Sequence, residues 1–270
     1  MNTEANNLPG SVIYLSHGGG PLPLLGDQGH LAMVNILREV TPTLIKPTAI
    51  LVISAHWEAH IPTITSGLSP SLIYDYYGFP KEAYDIEYPA PGAPGLANKI
   101  FNLLADAGIE AQLDEQRGFD HGLFVPLKIM YPDANIPCAQ LSLVNSLQAE
   151  AHIHIGKALA DLKKDHVLVI GSGFSFHNLK EFFAPSTQES RSKNEAFEQW
   201  LTDTCANSLL TEKERAQRLI DWASAPAARY CHPREEHLLP LHVCYGAAGT
   251  VAKRVFQFEI MRKMASAYVW

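Results

Sequence analysis

The sequence predicts a single α/β domain in which a largely parallel sheet is covered by helices on both faces. Two observations carry this. Short runs rich in Val, Ile and Leu, bounded by turn residues, alternate with stretches of helical amphipathic period. Strands separated by helices favour parallel pairing with both faces covered. The bulk composition agrees: of 270 residues, 47% are hydrophobic and 18% charged, which excludes global disorder.

In chain order, SVIYLS (11–16) reads as a buried strand and 31–40 as a helix. AILVIS (49–54) reads as a second strand. Residues 66–94, rich in Pro, Gly and Tyr, form a segment too long for a simple connector, and such loops often wall a site. A helix over 95–107, a strand over 139–144, a helix over 148–162 and a strand over 166–172 follow. Residues 185–222 read as mainly helical, with a capping box from Thr211 to Glu214. A helix starting near His237 ends around 246–249, and late strands fall at 255–260 and 266–270. With no repeat and no linker, 1–270 is read as one catalytic-sized domain.

Several functional classes drop out. The balance of 21 Lys+Arg against 28 Asp+Glu gives a formal charge of -7, so no nucleic-acid partner is expected. No run approaches the roughly 20 apolar residues of a membrane helix, so no membrane partner is expected. The opening MNTEANNLPG lacks the apolar core of a signal peptide, and a cytoplasmic location is the expectation. Cys138, Cys205, Cys231 and Cys244 form no CxxC pair and read as buried small hydrophobes rather than a zinc cage or disulfide framework.

Twelve histidines stand out, several of them where strands should end. His17 follows the first strand in SHGGGPLPLL, and ligands in open α/β sheets gather at strand carboxyl ends. Gly18, Gly19 and Gly20 would let the backbone approach a ligand, but the run fits neither G-x-G-x-x-G nor the P-loop. A glycine turn with an incidental histidine is the competing reading. His56 follows the second strand in ISAHWEAH; Trp57 takes the Glu position of H-E-x-x-H, and His60 need not share its face. His56 is therefore either ligand or packing.

In GFDHG, His121 lies between Asp120 and Gly122; an adjacent carboxylate can fix an imidazole tautomer, and an Asx turn explains the same residues. His177, in GSGFSFHNL, lies beyond the strand 166–172, and Gly171-Ser172-Gly173 is not a G-x-S-x-G elbow. HPREEHLLPLHV holds His232, Glu235, Glu236, His237 and His242. His237 opens the helix, Glu235 and Glu236 suit its positive end, and His232 and His242 read as solvated or packed. Together, these strand-end and helix-start histidines point to one metal site built from distant segments. Imidazole suits Zn, Fe, Cu and Ni alike.

HGGGPLPLL, ISAHWE, YPAPGAPGLA, GFDHGLFVPL, GFSFHNL and EEHLLPLHV occur in this order over nearly the whole chain. The set resembles the DODA-type class III extradiol ring-cleavage dioxygenases, within the wider family of protocatechuate 4,5-dioxygenase catalytic subunits. The resemblance implies a three-layer domain with a mostly parallel or mixed sheet and one metal at one end of it. It implies His17, His56 and His237 as metal ligands, His177 as the acid–base residue beside the substrate, and His121 as a second active-site histidine. Many extradiol sites hold iron with two His and one carboxylate. Here the third position reads as His237, and Glu235 or Glu236 could replace it only in another register.

The implied reaction opens a catechol with O2 to a muconic semialdehyde. Fe(II) is expected for activity, and Zn(II) can occupy the site as isolated. The expected partners are a small catechol and O2; DOPA, caffeic acid or a smaller phenolic are all admissible. Tyr74, Tyr76, Tyr77 and Phe79 either line the aromatic pocket or pack their own loop. Arg229 and Arg234 either meet a substrate carboxylate or stay solvated. A zinc hydrolase and a noncatalytic Memo-like binding protein are the alternative functions.

Overall fold

The computed structural model describes residues 11–270; the polar opening segment discussed above lies outside the described residues. Strands β1 (Val12–Ser16), β2 (Ala49–Ala59), β3 (Thr63–Thr65), β4 (Gln112–Asp114), β5 (Cys138–Val144), β6 (Val167–Gly173), β7 (Arg254–Ile260) and β8 (Lys263–Val269) form one mixed sheet. Their order is β4-β3-β5-β2-β6-β1-β8-β7. The four central strands run parallel, with Ser16 opposite Gly173 and Ser54 opposite Ser172. Antiparallel pairing begins on either side, where β3 meets β5 and where β8 meets β1. The β7–β8 hairpin completes one edge.

The helices are α1 (Leu31–Val40), α2 (Pro94–Asp106), α3 (His121–Met130), α4 (Ala149–Ala158), α5 (Leu179–Phe183), α6 (Gln188–Ala206), α7 (Glu212–Ile220), α8 (Ala228–Cys231) and α9 (Leu239–Ala248). Strand alternation assigns them to two layers. Gly171 faces α9, so closely that a Cβ there would press on the Pro240 carbonyl, whereas its neighbour Ser172 turns to α3 and donates to the Gly122 carbonyl. α4 packs with α9 on the first face, and α1 with α3 on the second. The arrangement is the layered α/β fold expected.

Some boundaries differ from expectation for identifiable reasons. β2 does not stop at Ser54: it runs to Ala59, with its register against β5 broken between Ile53 and Glu58. The Ser54 hydroxyl takes the His56 N–H at 3.1 Å, which removes that donor from the ladder and bulges the strand. The helix expected over 148–162 is α4 followed by a 3-10 turn over Ala160–Asp165. α9 starts at Leu239, so His237 precedes the helix instead of opening it. The capping box at Thr211 and Glu214 is formed. All four cysteines are buried and free. No helix among the described residues is long and apolar enough to cross a membrane.

One buried acid lies apart from the histidines. Glu198 of α6 is 2% exposed and meets the hydroxyls of Ser266, at 2.7 Å, and Ser175, while its other oxygen has no partner among the described residues. Burial outweighs those hydrogen bonds and pushes its pKa up to about 7. The folded protein thus holds this proton more tightly than the unfolded chain. The stabilising contribution is complete below the unfolded value and is lost as pH rises through about 7. Between pH 5 and 8 the loss should be of order 3 kcal/mol. Glu198→Gln should flatten that decline; urea unfolding at both pH values checks it, and an unchanged slope would count against a titrating Glu198.

Candidate metal centre

Five histidines meet at the carboxyl end of the parallel strands. His17 follows β1, His56 rides on the β2 bulge, His121 is the first residue of α3, His177 lies four residues past β6, and His237 precedes α9. All five border one cavity of about 550 Å³, a size typical of small-molecule sites. One ring nitrogen each of His17, His56 and His237 lies within 4.8 Å of the others, and the Nε2 atoms of His17 and His56 are 3.0 Å apart. The His177 and His237 rings stack with centroids 3.4 Å apart, and His121 lies 3.9 Å from His56.

Hydrogen bonds fix how the rings present themselves. Pro126 inside α3 has no N–H to give the Gly122 carbonyl, and the Ser172 hydroxyl takes that place at 2.5 Å. With its hydrogen so committed, Ser172 Oγ accepts from His17 Nδ1 at 3.0 Å, which leaves His17 Nε2 bare. His237 Nδ1 donates to Glu236 Oε1 at 2.9 Å, again leaving Nε2 free. The His237 backbone is pinned as well: its carbonyl accepts from Tyr14 Oη at 3.0 Å and Phe174 N at 2.9 Å. Gly173 leaves room for this, since a Cβ there would collide with the same carbonyl.

Two carboxylates each bridge a pair of rings. Glu236 Oε1 takes Nδ1 of His177 at 3.0 Å as well as that of His237. Asp75 Oδ1 takes Nδ1 of His121 at 2.8 Å and its backbone N–H at 3.0 Å, while Oδ2 stands 3.6 Å from His56 Nδ1. Burial alone would raise both acids, but the hydrogen bonds from their histidines hold both pKa values below the usual range. Burial also lowers the pKa of His17 and His56 well below the ordinary value and that of His237 to about 3, with repulsion from neighbouring histidines adding to it.

Neutral imidazoles with carboxylate or hydroxyl partners behind them are the donor set of a divalent first-row metal ion. The clusters His56–Asp75–His121 and His177–Glu236–His237 are also compact enough for an ion. Their carboxylates, however, are already committed to ring N–H groups. The three histidines with inward-facing nitrogens fit a metal best.

The structure corrects two sequence expectations, for Asp120 and Glu236, and places the remaining candidates. Asp120 does not orient His121; its carboxylate is buried on Ser54 (2.8 Å), Arg117 (3.0 Å) and Gln140, because the residues adjoining the start of α3 diverge. Glu236 does not serve the first turn of α9; it lies before the helix and bridges two histidines. Arg234 pairs with Glu58 at 2.5 Å and Arg229 with Glu235 at 2.7 Å, so neither borders the cavity. His232 and His242 are buried and bonded to backbone carbonyls, and His60 is exposed. Tyr76, Tyr77 and Phe79 border the cavity, whereas Tyr74 packs within its loop.

Asp75 and His30 escaped notice in the sequence. His30, tied to Asp27 at 2.6 Å, accepts the Gly19 N–H at 3.0 Å and so holds the glycine loop beside His17. The signal for Asp75 was the polar residue set among the aromatics of YDYYGF.

Comparison with known proteins adds independent findings. A family model described as the catalytic LigB subunit of aromatic ring-opening dioxygenase matches residues 13–269. A protein named dioxygenase tasH, from Hapsidospora irregularis, is 40% identical over 275 residues, covering 96% of this chain and 85% of that one. A 4,5-DOPA dioxygenase extradiol from Beta vulgaris is 42% identical over 243 residues, covering 90% and 88%. A crystal structure of an uncharacterized protein from Escherichia coli K12 superimposes with a TM-score of 0.75 at 28% identity, covering 96% of this chain and 98% of that one.

Proposed function

The chain belongs to the LigB family of aromatic ring-opening dioxygenases, in its 4,5-DOPA extradiol branch, and from that premise we propose that His17, His56 and His237 hold one Fe(II) ion while His177 and His121 handle protons. The enzyme opens a catechol-like ring with O2. Chain 1–270 acts as a single catalytic unit. The reading rests above all on the inward convergence of three neutral imidazoles, each backed by a hydroxyl or carboxylate.

A bound Fe(II) supplies the one-electron chemistry that lets a closed-shell catechol react with O2, which filled-shell Zn(II) cannot supply. The remaining work belongs to side chains. His177 donates Nδ1–H to Glu236, which leaves Nε2 on the cavity side to take a proton from a catechol hydroxyl. The ionised Glu236 stabilises the imidazolium so formed. His121, held twice by Asp75, also borders the cavity and has its Nε2 free for a second proton transfer. Phe174, Phe182 and Tyr76 wall the ring's space and keep bulk water away from it.

The test is reconstitution. Protein stripped anaerobically and reloaded with Fe(II) should consume O2 with catechols and yield a yellow muconic semialdehyde. The Zn(II)-loaded form should consume none. Equal rates from verified iron and zinc forms would refute the metal assignment; no oxygen uptake with any catechol would refute the site reading.

A further inference from the structure

The cavity continues outward into a mouth whose chemistry is one-sided. Leu179 and Phe183 of α5 and Tyr77 of the long loop line it while being 61%, 79% and 92% exposed. Behind them Phe182 stacks on Phe174 at 5.3 Å, and Leu22 and Met261 continue the apolar surface inward. No Lys or Arg among the described residues borders the cavity, and residues 1–10 contain neither. Arg234 is engaged by Glu58, Arg117 by Asp120 and Lys263 by Glu181 at 3.9 Å, while Lys180 and Arg262, next to Leu179 and Met261, are exposed to solvent and do not themselves line the cavity. The one carboxylate among the described lining residues is Asp75.

A catechol bound with its hydroxyls at the histidine cluster points its substituent at this mouth, and the ring fills only part of about 550 Å³. An anionic substituent would lose hydration with no lining cation to replace it, and would meet the Asp75 carboxylate. An apolar one would cover the side chains now in water. We propose that this enzyme prefers catechols bearing an uncharged, apolar ring substituent over those bearing a carboxylate, with Leu179 and Phe183 as the residues that set the preference. The inference rests on the ring-cleavage reading and adds the class of substrate.

A matched pair isolates it: 4-propylcatechol against 3-(3,4-dihydroxyphenyl)propionate, which differ in a terminal methyl or carboxylate. The Fe(II) enzyme should show kcat/KM roughly 10-fold higher for the propyl compound, the worth of about two buried methylenes. Calorimetric binding to the Zn(II)-loaded protein should show the same order in Kd, and reads the preference even if turnover fails. Phe183→Arg and Leu179→Arg, at exposed positions that the fold tolerates, should shrink the ratio by favouring the propionate and disfavouring the propyl compound. Equal or reversed preference in binding and turnover overturns the proposal while leaving the dioxygenase assignment intact. So does an equal loss on both substrates in the arginine variants. Absent turnover beside a preserved binding preference would instead sink the dioxygenase reading.

Discussion

His177→Ala is expected to lower turnover by roughly 10²–10⁴-fold, the range for losing a general base, while the protein keeps its metal. His177 stacks on His237, shares Glu236 with it and borders the cavity, yet it is not one of the three histidines whose nitrogens lie together. Because it shares that carboxylate, the alanine variant also frees Glu236 from one partner. His177→Gln is the companion variant: its amide can still donate to Glu236 but cannot carry a proton in turnover. Both variants should be nearly inactive with metal content close to wild type. Metal analysis beside oxygen uptake decides the matter, and a folded His177→Ala protein that purifies empty would make His177 a ligand.

His17→Ala should instead remove the metal and all ring cleavage with it. Loss of an outer-shell partner typically costs 10–100-fold in metal affinity, and loss of a ligating imidazole should exceed that. The fold should survive, since Ser172 keeps its bond to the Gly122 carbonyl and β1 keeps its pairing with β6. Titration against a metallochromic chelator gives the affinity, and circular dichroism the fold. Stoichiometric, tight metal in His17→Ala would place the ion in one of the flanking carboxylate clusters.

The parallel centre was legible because its strands are short continuous apolar runs between turn residues, and His17, His56, His177 and His237 all stand near their carboxyl ends or the helix beyond. α3 was not legible. It is buried on nearly every side and contains Pro126, so it has no polar stripe and carries a residue that ordinarily breaks helices. β3 and β4 are three residues each, too short to show alternation. The partners of the histidines were hidden for another reason. Asp75 lies 46 residues from His121, and Ser172 lies 155 from His17, so no local pattern joins them. Where local pattern did offer a partner, Asp120 beside His121, geometry chose a different one. The resemblance to a family named the histidines; only the folded chain shows what holds each of them.

The two bridging carboxylates divide the centre into half-sites. Asp75 joins His56 to His121, and Glu236 joins His237 to His177, so each half carries one proposed ligand ring, one proposed proton-handling ring and one carboxylate. Two carboxylate charges would offset those of a bound dication, although none of the three proposed ligands is charged. On the proposed roles each carboxylate has two duties, and a change at either one is expected to disturb metal retention and proton handling together. His17 hangs instead on the uncharged hydroxyl of Ser172, which touches neither proton carrier. An engineer wishing to retune the metal without rewriting the acid–base chemistry would therefore begin at the His17–Ser172–Gly122 arm.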